Sequence, residues 1–339
     1  MCRMVTIRLL PCAVPRPVSC GHHRAGASVS TIQSATGPID SHDLGFTLMH
    51  EHVRVGWPPM YQQYPEMFDR QHEISRAVSR LKEAKAAGVT SIVDLTPIDL
   101  GRDASLIAEA SRQSGVQIIV ATGIYYTSHP FHFMMREDRE MEELFVRDIT
   151  EGISTTGVRA GVIKCATEPE MHPMNERVLR NSARAAKQTG VPICTHTFPA
   201  NRTGLDQQRI FKEEGLDLSR TVIGHSDDSD DISYLEQIIQ NGSYCGMDRI
   251  GIQRPRTSEQ RADMVAALVE KGYANRITLS HDSCCNFHWA PEGRLDELAP
   301  TWRMTHIPLD VVPMLKERGV SDANIEQMTV RNPRAVFGW

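Results

Sequence analysis

Five short groups of residues in this chain could do chemistry together: His50-Glu51-His52, Lys164, His196, His225 and Asp282. Imidazoles, a carboxylate and an amine that can be converted to an anion suit a pair of divalent cations that activate water for hydrolysis. Each group lies at or near the end of an apolar, β-branched run, and the spacing between groups is regular. Lys164 to His196 is 32 residues, His196 to His225 is 29, and His225 to Asp282 is 57. A (β/α)8 barrel spends about 31 residues on each strand-helix unit. The steps are therefore one unit, one unit and two, and the 112 residues from His52 to Lys164 make three with some loop to spare. That register predicts positions on strands 1, 4, 5, 6 and 8, all at one rim.

Taken singly, each residue has an ordinary reading beside the chemical one. His50 and His52 alternate along a strand, so both imidazoles can face one ion, or they can be a packed or capping pair. Lys164 shares its face with Val162 and should point inward. Burial disfavours an unpaired ammonium, and a neutral amine can take up carbon dioxide to become an anionic carbamate that bridges two ions. The alternative is a lysine snorkelling from the rim. His196 and His225 could be satisfied core histidines, and Asp282 a helix cap or an ion-paired carboxylate. As a ligand, Asp282 could also take a proton from the attacking water. Asp227-Asp228-Ser229-Asp230-Asp231 lacks the glycine and terminal glutamate of an EF-hand calcium loop. There Asp230 is expected to cap the next helix, and Asp227 or Asp228 to support His225 and relay protons.

The elements that must position these residues read as strand, then helix, repeated. Strands are predicted near 46–50, 89–95, 116–121, 159–165, 191–196, 220–224, 243–248 and 276–282. Helices are predicted over 73–87, 104–112, 138–152, 175–189, 205–214, 231–240 and 258–271, most stopped by glycine. A closing pair follows at 309–318 and 321–329. Eight strands with short returns predict a parallel α/β architecture, a (β/α)8 barrel with its site at the carboxyl ends of the strands. An open doubly wound sheet would want a G-x-G-x-x-G fingerprint, and none occurs. Nor is there a G-x-S-x-G elbow for a serine nucleophile.

Composition bounds the rest. In 339 residues, 40% are hydrophobic, 23% are charged, and the net charge is −5. These values fit a globular domain and give no basic stripe for nucleic acid. No apolar run approaches the roughly 20 residues a bilayer-spanning helix needs. The eight cysteines include no C-x-x-C pair, so a reducing cytoplasm is the default expectation. Residues 1–30 hold Arg, Pro, Cys and His without periodicity and read as a disordered extension, with 31–339 as one barrel domain.

Together these segments resemble the phosphotriesterase family of the amidohydrolase superfamily. The resemblance rests on Gly45-Phe46-Thr47-Leu48-Met49-His50-Glu51-His52, Gly161-Val162-Ile163-Lys164, Thr195-His196-Thr197, Ile223-Gly224-His225-Ser226-Asp227-Asp228 and Ser280-His281-Asp282. It implies a binuclear hydrolase. His50, His52 and Asp282 would hold the buried ion, and His196 and His225 the more exposed one. N6-carboxylated Lys164 and a hydroxide would bridge them. Zinc is the first expectation, with cobalt, manganese or iron as alternatives, and a homodimer is the implied assembly.

Within the family, Arg249, Tyr125 and the short loop 250–257 are similar to the lactonase branch. They imply opening of lactones, N-acyl-homoserine lactones first (quorum quenching), with promiscuous phosphotriesterase activity. The bridging hydroxide would attack a carbonyl beside Tyr125, Asp282 would pass the proton, and Arg249 would pair with Asp228. Cys284, Phe287, Trp289, Trp302 and Met304 would offer an apolar slot for an acyl chain. A dedicated organophosphate hydrolase is the alternative, and a binding protein without turnover a third reading.

Overall fold

Short β-branched runs alternating with amphipathic helices close here into a parallel barrel. The computed structural model describes residues 31–126 and 130–338; the extension expected over residues 1–30 lies outside them. A hairpin absent from the sequence reading comes first, β1 (Thr31–Ser34) and β2 (Gly37–Asp40). The barrel strands are β3 (Thr47–Val55), β4 (Ser91–Asp94), β5 (Gln117–Ile124), β6 (Val162–Ala166), β7 (Ile193–His196), β8 (Thr221–Ile223), β9 (Tyr244–Met247) and β10 (Ile277–Leu279). A further short strand, β11 (Cys284–Phe287), follows. Neighbours run parallel in the order β10-β9-β8-β7-β6-β5-β4-β3-β11.

Helices return the chain between strands. The short α1 (Pro58–Gln63) and then α2 (Arg70–Ala86) follow β3, and α3 (Ala104–Ser114), α4 (Asp138–Thr150), α5 (Pro173–Thr189), α6 (Thr203–Glu213), α7 (Ile232–Gln240) and α8 (Ser258–Glu270) follow in turn. Their ends obey local chemistry. Asp69 caps α2 through the amides of Gln71 and His72, and Gly115 and Gly190 end α3 and α5 in left-handed conformation. The cap of α7 is Asp231, which accepts from the amides of Ser233 and Tyr234. Asp230, expected there, lies one residue too early and instead ion-pairs with Arg256.

Two apolar layers result. One lies between strands and helices. The other fills the barrel with Met49, Val93, Ile119, Val162, Cys194, Val222 and Tyr244. The hairpin, the helical turn after it and the chain end plug the barrel floor, since Ile32, Leu44, Val336 and Phe337 join that inner layer.

The first and last strands depart from the expected boundaries. β3 runs on to Val55, and a register shift between Leu48 and Glu51 breaks its alternation. The bulge lets Met49 fill the interior while His50 and His52 also face inward above it. The eighth strand ends at Leu279 rather than near 282, because Asp282 adopts a left-handed φ of 58° that no ladder accommodates. β11 then resumes alongside β3, with Cys284 opposite His52. Closure between the two is completed by the amide of Asp282 donating to the His50 carbonyl and that of His52 to the Ser283 carbonyl, both at 2.9 Å.

Candidate metal centre

At the carboxyl rim, β3, β6, β7, β8 and the turn after β10 deliver His50, His52, Lys164, His196, His225 and Asp282 to one buried cluster. Nε2 of His52 and Nε2 of His50 lie 3.0 and 3.4 Å from Asp282 Oδ1. Lys164 Nζ is 3.0 Å from His50 Nε2, and His225 Nε2 is 2.7 Å from His196 Nδ1. His225, like Asp282, takes a left-handed φ of 58°. Alternation continued from Val222 and Ile223 would turn its ring outward, and the backbone reversal brings it back. Two such residues in one cluster mark strain retained at a site.

The far side of each ring shows what the near side can do. Asp248, directly after β9, accepts from Nδ1 of His50 and Nδ1 of His225, each at 2.8 Å, and from the His225 amide at 2.7 Å. With those protons fixed on Nδ1, both Nε2 atoms turn lone pairs to the centre. Thr96 Oγ1 stands 2.8 Å from His52 Nδ1 and can orient the third ring likewise. His196 Nε2 is buried without a hydrogen-bond partner. Lone pairs, a carboxylate and an amine facing one another in a buried pocket are a poor hydrogen-bond network and a good cation cage. The donor set therefore fits divalent metal. His50, His225 and Asp282 already place one ligand atom each within 4.8 Å of one another.

Electrostatics agree with that chemistry. Burial, reinforced by the charge of Lys164, lowers His50 to about 4, and burial also lowers His225 and drives His196 well down. These rings are neutral near pH 7, as ligation requires. Burial likewise lowers Lys164. For Asp282 burial acts upward, but His50, His52, His225 and Arg249 outweigh it and hold the carboxyl well below its usual range.

Arg249 joins two carboxylates, donating from Nε to Asp282 Oδ2 at 3.3 Å and from Nη1 to Asp228 Oδ2 at 2.8 Å. The buried Arg261 in turn holds Asp228 and Asp227, each at 2.7 Å. Tyr125 places its hydroxyl 2.9 Å from His196 Nδ1. A cavity of about 190 Å³ opens over the cluster, walled by Val55, Leu100, Ile252, Cys284, Phe287, Trp289 and Trp302. Met304, grouped with that wall on sequence, is instead buried in the layer between strands and helices.

Asp248 was missed in the sequence although the signal was there, a carboxylate one step past an apolar strand in the same register as the others. Thr96 gives no comparable signal, because a threonine after a strand is unremarkable until its partner is known.

A parallel barrel with this rim is the architecture of a metal-dependent hydrolase, and the comparisons with known proteins narrow the class. Residues 30–337 match the model of the phosphotriesterase family. The chain is 48% identical over 316 residues to the phosphotriesterase homology protein of Mycobacterium tuberculosis, covering 90% of this chain and 97% of that one. It is 40% identical over 304 residues to an aryldialkylphosphatase of Saccharolobus solfataricus, covering 88% and 96%. The solved structure of the phosphotriesterase from Mycobacterium tuberculosis superposes with a TM-score of 0.87 at 47% identity, over 91% of this chain and 98% of that one. The chain belongs to the phosphotriesterase family, and is a hydrolase acting on ester bonds.

Proposed function

We propose that this enzyme opens lactones, N-acyl-homoserine lactones first among them, and hydrolyses phosphotriesters as a side activity. His50, His52 and Asp282 would hold one divalent ion and His196 and His225 the other, with Lys164, carboxylated on Nζ, shared between them. The mixed nitrogen and oxygen donors suit zinc, and cobalt, manganese or iron as well. Bound there, two cations polarise the scissile oxygen and lower the pKa of attacking water.

The protein's own groups supply the rest. Asp282, held ionised, accepts the proton of the attacking water. Arg249 stays protonated between two carboxylates, so it orients Asp282 by charge and does not carry the proton itself. Tyr125, whose phenol is driven well above its ordinary range by burial and then by Tyr126, remains a hydroxyl that can donate to the substrate oxygen.

The observation that carries the reading is the size and apolar lining of the cavity. At about 190 Å³ with an apolar wall of Ile252, Phe287 and Trp302, it is smaller than the roughly 300–1,000 Å³ typical of ligand pockets. A flat lactone ring with one trailing chain needs less room over the cluster than a tetrahedral triester, which projects three arms. The aryldialkylphosphatase relative favours a second reading, a dedicated organophosphate hydrolase. The two part on kcat/KM of the metal-loaded enzyme for a long-chain homoserine lactone and an aryl dialkyl phosphotriester. A lactone preference of at least about 100-fold, or about 2.7 kcal/mol in transition-state binding, is expected. A preference for the triester overturns the proposal.

A further inference from the structure

Glu51 lies between His50 and His52 but faces away from the cluster, into the seam where the barrel closes, and it is fully buried. Its carboxylate meets five donor groups. Oε1 accepts from the His281 amide at 3.0 Å and His281 Nδ1 at 2.7 Å, and lies 2.8 Å from the Ser280 hydroxyl. Oε2 accepts from the amide of Ser283 at 2.9 Å and its hydroxyl at 2.7 Å. His281 Nε2 accepts from the Ile307 amide at 2.9 Å, which leaves the ring proton on Nδ1, pointing at Glu51. No lysine or arginine pairs with this carboxylate among the described residues, so oriented dipoles alone hold it.

Those contacts fall on Ser280–Ser283, the four residues in which the eighth strand breaks between β10 and β11. The amides of 281 and 283 spend themselves on Glu51, while that of Asp282 donates to the His50 carbonyl. Asp282 is thereby held in its left-handed conformation with its side chain toward the histidines. One carboxylate thus ties the aspartate of the last strand to the His50–His52 pair of the first.

We infer that Glu51 is a positioning residue that fixes Asp282 for metal binding and proton transfer, acting through the backbone of residues 280–283. The inference rests on reading the cluster as a metal site. It is tested by titrating cobalt(II) into metal-stripped wild type, Glu51→Gln and Glu51→Asp, with visible absorption reporting ligand geometry. The same proteins, loaded to equal cobalt, are assayed for kcat and KM on a decanoyl-homoserine lactone and an aryl dialkyl phosphotriester.

The amide of Glu51→Gln sets a donor against donors, and the expected result is cobalt binding weakened by about 10- to 100-fold, as losses behind a ligand typically cost. The visible band should shift, and kcat should fall at least about 10-fold with KM changed less than about 3-fold, the pattern of an interaction acting in the transition state. Glu51→Asp, which keeps the charge, should recover part of each. A purely structural role would lower the melting temperature and leave band, affinity and kcat alone, and that result overturns the inference. If wild type itself binds no cobalt, the metal reading falls and takes this one with it. Should Glu51→Gln not fold, Ser283→Ala decides on the same readouts. It deletes one 2.7 Å contact and spares the carboxylate. Weaker binding with a shifted band supports the role, and wild-type values contradict it.

Discussion

Burial of three imidazoles of the cluster, His50, His196 and His225, has a consequence for stability. An unfolded histidine protonates near 6.5, whereas burial and the nearby Lys164 lower His50 to about 4, and burial lowers His196 and His225 as well. Between about 6.5 and 4 the unfolded chain therefore binds more protons than the folded one. Stability is full above that window and is lost as the pH falls through it, by on the order of 3 kcal/mol for His50 alone. Metal-stripped protein melted at pH 7.5, 6.0 and 5.0 should show a falling melting temperature, and divalent metal should raise it at the two higher values. A flat profile would mean that these rings are not desolvated together. The same residues show how much of the site was legible. His50, His52, Lys164, His196, His225 and Asp282 were readable because each ends or nearly ends an apolar run at the barrel period. Asp248 shares that register, but its role, like that of Glu51, depends on which ring or amide faces it across 198 or 230 residues of sequence.

At the scale of elements, close backbone approach matters as much as side-chain choice. Gly123, next to the end of β5, has φ of 123°, and a Cβ built there would stand 1.8 Å from the Lys164 carbonyl oxygen of β6. No rotamer relieves a clash with backbone, so Gly123→Ala should part β5 from β6 and displace Lys164. A loss above about 4 kcal/mol is expected, the range reserved for core disruption. Gly190→Ala, at a left-handed helix end with open space, should cost only about 1 kcal/mol. Chemical denaturation of both measures the contrast, and equal losses would contradict the argument. Helix positions were well read because period, cap and terminal glycine all agree, as in α3 and α5. Strand ends were not, because the bulge in β3 and the left-handed breaks at His225 and Asp282 are imposed by the site against local preference. The β1–β2 hairpin escaped notice because four-residue strands around Ala35-Thr36 carry no alternation long enough to count.

The whole molecule separates stability from chemistry along the barrel axis. Below, Ile32, Leu44, Val336 and Phe337 plug the floor with apolar contact. Above, strained backbone and desolvated polar groups converge where the strands end, as in other barrels whose loops carry the reaction. No described helix is long and apolar enough to cross a membrane. This polarity makes the rim the place where chemistry occurs, and the proposed metal pair is central to it. Its most direct measurement is metal content per chain, by elemental analysis, together with lactone hydrolysis, for wild type and Lys164→Ala. Two ions and turnover are expected in wild type. In the variant fewer than two ions and a loss of activity of at least about 100-fold are expected, beyond the roughly 10- to 100-fold typical of losing an outer-shell partner of a ligand. Two ions with full activity in Lys164→Ala would contradict a pair shared by Lys164.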